Sequence, residues 1–248
     1  MKGGRSAIML AVSLFALEGC MLERLLTTQQ QLCHGQVRLE KPGATFVFDI
    51  PTLLDQDIVT LAGVQPTTTR EDAASQLTLS YVGHPKGNIG MGTHALPVTF
   101  DFIKEGDKNP YKLKRAHIAR HLSELLSEDL LNTVLASGCT AKLHGLALDV
   151  DLNRVSAAQL PRRAAITHIL GDPQRVNGRT VTYEYVVNSS VNAEISITYD
   201  ATLDRMATVH IDYFRYALHV DFAKRLARGG LRGWRDGLAL SYWLAVSK

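Results

Sequence analysis

His117 and His121 stand four residues apart, the interval that on a helix puts two imidazoles on one face and offers a metal two nitrogen ligands. The zinc-protease version of that pair needs a glutamate directly after the first histidine, and this chain has Ile118 there. A solvated or capping pair is therefore the plainer reading, and no metal or other cofactor is expected. Asp149 and Asp151 alternate with Leu148, Val150 and Leu152, the pattern of a half-exposed strand rather than of a paired-carboxylate acid–base site. These four side chains are the acid, base and ligand candidates of a hydrolase. The glycines at 83, 87, 90 and 92 would cradle a phosphate only if a helix opened after them. Pro97–Ile103 reads instead as a strand, which makes Gly83–Gly92 a hairpin loop. No Gly-x-Ser-x-Gly elbow is present, so no catalytic residue is assigned. Three cysteines, at 20, 33 and 139, are an odd count that flags a free thiol. Last come cations: Lys224, Arg225, Arg228, Arg232 and Arg235, interleaved with Leu226, Leu231, Trp234 and Leu238. Such a segment suits an acidic partner or anionic head groups, while 238–246 reads better as core packing.

The elements that must position these residues are short. Leu22, Leu25, Leu26 and Leu32 fall on helical spacing, giving a short helix or tether. Strand-like pieces follow around Val37–Leu39 and Phe46–Ile50, then a helical stretch from Leu53 to Leu61 closed by Gly63 and Pro66. Residues 67–72 read as a polar connection and Gln76–Val82 as a strand. Tyr111–His117 returns as a strand before a helix over Ala119–Ala136, whose leucine stripe ends at Gly138. Residues 156–170 form a second helical segment, stopped by Gly171-Asp172-Pro173. Four alternating runs then succeed one another: Thr180–Val187, Glu194–Asp200, Met206–Phe214 and Tyr216–Phe222, an antiparallel meander. One face of it is apolar and needs a helix. The other presents Thr182, Glu184, Ser196, Thr198, His210 and Asp212, unless the first half packs over it. The expected fold class is α+β, with antiparallel sheets each covered by helices and a helix-then-meander unit in the second half.

With 248 residues, 46% hydrophobic and 21% charged, the chain has room for one large domain or two small ones. The reading divides it at 1–19, 20–35, 36–152 and 153–248. A net charge of +3, spread rather than gathered in a stripe, excludes a nucleic-acid partner.

Lys2 and Arg5 precede an apolar run from Ala7 to Leu17. That is the layout of a secretory signal, and it is too short to span a bilayer, which takes ~20 residues. Leu17-Glu18-Gly19-Cys20 resembles the lipobox of bacterial lipoproteins, with Glu18 where that family carries a small residue. The resemblance implies removal of the signal 1–19, diacylation of Cys20 and anchoring through it to a membrane. Met21, rather than Asp, implies the outer membrane. The plainer alternatives are an uncleaved anchor or signal cleavage near Gly19. With Cys20 accounted for, Cys33 and Cys139 remain, a natural disulfide pair in an oxidising envelope; the alternative is two buried thiols.

Ile166–Pro173 (ITHILGDP), Tyr183-Glu184-Tyr185 and Ile195–Asp200 (ISITYD) resemble the small lipoprotein family of the outer-membrane β-barrel assembly machinery and the β-lactamase inhibitor protein superfamily. That resemblance implies helices on one face of a small antiparallel sheet, and work done by binding other proteins. The expectation is a non-enzymatic outer-membrane lipoprotein facing the periplasm that binds or scaffolds another envelope protein. Its partner-binding candidates are Glu184, His210, Arg225, Arg228, Arg232 and Arg235. The alternative is a periplasmic hydrolase using His117, His121, Asp149 and Asp151.

Overall fold

A computed structural model describes residues 21–40, 44–72, 75–87, 94–106, 108–118, 120–144, 147–187, 191–202, 204–214 and 216–231. Cys20, Arg232, Arg235 and much of the Gly83–Gly92 loop lie outside the described residues. Fourteen strands form one antiparallel sheet. In chain order they are β1 (Val37–Glu40), β2 (Ala44–Phe48), β3 (Thr68–Asp72), β4 (Gln76–Pro85), β5 (Leu96–Ile103), β6 (Lys112–Ile118), β7 (Lys142–His144), β8 (Ala147–Asp151), β9 (Arg175–Asn177), β10 (Thr180–Val187), β11 (Val191–Tyr199), β12 (Met206–Tyr213), β13 (Tyr216–Asp221) and β14 (Leu226–Leu231). Their ladder runs β1-β2-β6-β5-β4-β10-β11-β12-β13-β14-β8-β7, with β3 beside β4 and β9 beside β10.

This corrects the expected fold class. The chain does not build separate antiparallel sheets, each under its own helices. One sheet dominates, and the helices are few and short: α1 (residues 21–33), α2 (Asp55–Ala62), α3 (Arg120–Leu125), α4 (Glu128–Gly138) and α5 (Arg163–Leu170). Three local features account for the difference. First, the helix read over Ala119–Ala136 is cut at Ser127, whose Oγ accepts from Leu130 N at 3.2 Å and starts α4 with Glu128 and Asp129 in its first turn. Second, the connection at 67–72 becomes β3, its β-branched threonines pairing Thr68 with Ser80 and Thr69 with Leu79. Third, Leu226–Leu231 (LARGGL) becomes β14. Its Gly229 leaves room for a neighbour, since a Cβ there would stand 3.2 Å from Leu218 Cδ1 on β13.

Alternation sorts each strand into an inner and an outer row. Inner residues form two clusters. In one, Ile166, Ile169 and Leu170 of α5 pack with Val181, Tyr183, Tyr185, Ile197 and Tyr199. In the other, Leu53 and Ile58 pack with Leu77, Leu79, Tyr81, Phe102 and Leu113. The tyrosine hydroxyls reach into these clusters, and burial pushes their acidity down: Tyr81 is raised to about 12 by desolvation and then by Tyr213, and Tyr183, Tyr185 and Tyr199 are raised, chiefly by desolvation.

The clusters meet along one narrow seam. Strand β4 pairs with β10 over only Pro85–Tyr185, His84–Val186 and Gly83–Val187. Lys86 N extends the seam to Glu184 O at 2.8 Å, and Tyr213 Oη donates to Ala62 O at 2.7 Å. Gly63, at φ 67°, closes α2 under the ring of Phe214, and any side chain there would collide with that ring. The first half therefore extends the second half's sheet edge to edge and does not lie over its outer face. Nor does the sheet stop near residue 152: β14 pairs with β8, Arg228 opposite Asp149.

Helix α1, read as a short helix or tether, is a helix docked on the body. Arg24 Nε and Nη2 clasp the Asp57 carboxylate at 2.7 and 2.5 Å, and Thr28 Oγ1 meets Thr52 Oγ1 at 2.8 Å. Gln29 Nε2 donates to Gly138 O and Ala141 O at 3.2 and 3.0 Å. Cys33 is joined in a disulfide to Cys139, 106 residues away. That bond lies just before β1 on one chain segment and just before β7 on the other, the two terminal strands of the ladder.

Candidate functional site

The outer face of β9–β14 is built by register. Pairings Thr182–Ser196, Ser196–His210, His210–His219, His219–Arg228 and Arg228–Asp149 lie in one row. A second row joins Glu184, Glu194 and Asp212, and a third Thr180, Thr198 and Thr208. All point away from α5, whose apolar residues pack on the opposite side. Cross-strand contacts hold these side chains in place. Thr182 Oγ1 meets Ser196 Oγ and Thr180 Oγ1 meets Thr198 Oγ1, each at 2.9 Å. Arg175 bridges Glu184 at 3.2 Å and Glu194 at 2.6 Å, while Lys86 reaches Glu184 at 3.2 Å. His210 Nε2 lies 3.1 Å from Asp212 Oδ2, and its ring centroid is 6.0 Å from that of His219. Arg228 lies 3.5 Å from Asp149.

Exposure rises across this face. Thr182 is 8% exposed, the His210 side chain 42% and Arg228 65%. Such a surface is polar, preordered by its own pairs and open to solvent, the makeup of a hydrated, reversible protein contact. Among the residues singled out from sequence, Glu184, His210 and Arg228 share it. Arg225 sits at its rim in the β13–β14 turn, where its Nη1 donates to Asn153 O at 3.0 Å. Sequence reasoning missed His219, Arg175 and Glu194. The first was legible, since Ala217, His219 and Asp221 alternate with Leu218, Val220 and Phe222; Arg175 needed β9, whose three residues carry no alternation to read.

The hydrolase candidates stand on three different elements. His117 is on β6 and Asp149 and Asp151 on β8, strands that are not neighbours on the ladder. His121 is on α3, so His117 and His121 do not share a helix face. His117 has its own network: Nδ1 meets Thr45 Oγ1 at 2.9 Å, Nε2 meets Asp101 Oδ2 at 2.6 Å, and Asp101 Oδ1 accepts from Thr78 Oγ1 at 3.0 Å. Hydroxyl, imidazole and carboxylate thus stand in file, as an activated nucleophile requires. Strand β6, which carries His117, is paired on both sides, with β2 and with β5. Among the described residues no group of three or more His, Cys, Asp or Glu converges as a metal site, and no helix is long and apolar enough to cross a membrane. No family model, no curated protein and no solved structure matches this chain.

Proposed function

We propose that the chain is a non-enzymatic lipoprotein of the outer membrane, held through Cys20 on the periplasmic side, that binds another envelope protein through the outer face of β9–β14. The observation that carries this reading is the register of Thr182, Ser196, His210, His219 and Arg228 into one polar row opposite an apolar core, buried at Thr182 and open to solvent towards Arg228. A core-facing layer leaves no such row, and an obligate apolar interface would not line it with ion pairs. The lipobox-like segment and the Cys33–Cys139 disulfide support an oxidising envelope. The short resemblance over 166–200 favours work by binding.

Docking of α1 adds a geometric condition. The helix is already formed at residue 21, the first described residue, and acyl chains on Cys20 would hold the body close to the membrane surface. The partner must then be reached close to that surface. The test is capture of partners from detergent-solubilised envelopes with the wild type and with Glu194→Lys/Arg228→Glu. Both substituted side chains are well exposed, so the variant should melt within about 2 °C of the wild type while its specific partner is lost. Equal recovery with an intact fold would contradict the assignment of this face.

A further inference from the structure

The polar row does not end at β14. It runs through Arg228 and Asp149 to Lys142 on β7, where the end of α4 and the β13–β14 turn wall off a cavity of about 570 Å³. That volume suits a small ligand. Four cationic side chains line it, Lys142, Arg154, Lys224 and Arg225, against two carboxylates, Asp149 and Asp151.

The carboxylates are already engaged. Both Asp151 oxygens accept from Asn153, one from its backbone N and one from Nδ2, each at 2.8 Å, and Asp149 faces Arg228. The cations are held more loosely. Lys142 and Arg154 form no ion pair among the described residues. Lys224 lies 3.7 Å from Asp221 with 81% of its side chain exposed, and Arg225 donates to a neutral carbonyl. A surplus of positive charge in a concave setting attracts an anion.

Arg225 carries a second signal. It sits at φ 54°, a left-handed position that glycine or asparagine fills at least cost. The chain places an arginine there, and in that conformation its guanidinium is turned to the cavity wall at Asn153. Planar, multiply donating guanidinium groups beside ammonium groups match a tetrahedral phosphate better than a single carboxylate.

We propose that this cavity binds the phosphate group of a phosphomonoester, either a soluble one or the head group of a lipid. The site shares Arg225 with the partner face but does not depend on it, because binding of a small anion is read directly. The experiment is calorimetric titration of the detergent-solubilised full chain with inorganic phosphate and, separately, with short-chain phosphatidic acid. Saturable binding with one site per chain is expected. Arg154→Ala/Arg225→Gly should weaken it at least tenfold while melting no lower than the wild type, since glycine relieves the left-handed backbone. If that variant fails to fold, Lys142→Gln/Lys224→Gln, on two exposed residues, should weaken binding at least fivefold. Binding of both probes alike assigns the site to the phosphate alone, and marked preference for phosphatidic acid assigns it to a lipid head group. No saturable binding of either probe, or equal affinity in wild type and folded variants, overturns the proposal.

Discussion

Asp57 is 4% exposed yet carries a carboxylate, so its surroundings must answer for the lost hydration. Arg24 supplies two hydrogen bonds and Leu54 N a third at 2.8 Å. Removing one partner of a buried pair leaves the other charge uncompensated, which costs more than the pair itself contributes. Arg24→Ala should therefore lower stability by about 3 kcal/mol in urea unfolding. A loss near that of an ordinary surface substitution, below about 0.5 kcal/mol, would mean that α1 is not docked as described.

The buried tyrosines set an alkaline limit. Tyr81, Tyr183, Tyr185 and Tyr199 have folded values above the ordinary 10.0, chiefly through desolvation. Below about pH 10 these groups are neutral in both states and stability is unaffected by them. As pH rises further the unfolded chain releases protons first, so stability falls from about pH 10 through the Tyr81 value of about 12. The urea midpoint should be level between pH 8 and 9.5 and drop by pH 11.5. A level midpoint to pH 11.5 would show that these hydroxyls are hydrated.

At the scale of elements, α1 shows what spacing alone does not tell. Its leucines announce a helix, but the residues that dock it, Arg24, Thr28 and Gln29, read as ordinary polar surface until Asp57, Thr52 and the end of α4 are placed beside them. The disulfide completes this clamp between segments 106 residues apart. On the chain-entropy model a loop of that length is worth at most ~4.7 kcal/mol, so replacing both cysteines by serine should cost about 2–5 kcal/mol. Amide exchange should quicken first in α1 and at the start of β7. Uniform protection across the variant would show that hydrogen bonds alone hold the clamp.

Strands β10–β13 were legible because inner Val, Tyr and Ile alternate with outer Thr, Glu, Ser and His over each run. Strand β14 was not, because Arg228-Gly229-Gly230 shows no apolar period; what places it there is space under Leu218, a tertiary fact. The break between α3 and α4 was signalled by Ser127-Glu128-Asp129, an N-cap followed by acids, but the leucine stripe runs straight across it. Half of the candidate face followed from alternation. The rest depended on which strands neighbour which, and a two-residue period says nothing of partners.

Over the whole molecule the consequence is a single sheet where two helix-covered units were expected. Its halves join at two seams, three residue pairs of β4 and β10, reinforced where Phe214 and Tyr213 meet the end of α2, and four pairs of β8 and β14. Among the described residues the outer face of β9–β14 carries polar side chains, and the apolar residues of α5 pack on the opposite side. Orientation follows from the anchor. With α1 fixed to the body through Arg24, Thr28 and Gln29, the proposed acylation at Cys20 would set how this face meets the membrane and what it can reach.

The most direct measurement is the mass of the mature N-terminal peptide from protein isolated with native outer membranes. The account predicts a chain that begins at Cys20, carries two ester-linked and one amide-linked acyl group, and shifts to an unprocessed, unacylated precursor in Cys20→Ser. A mature chain starting elsewhere, or an unmodified Cys20 in protein that still fractionates with the outer membrane, would contradict it.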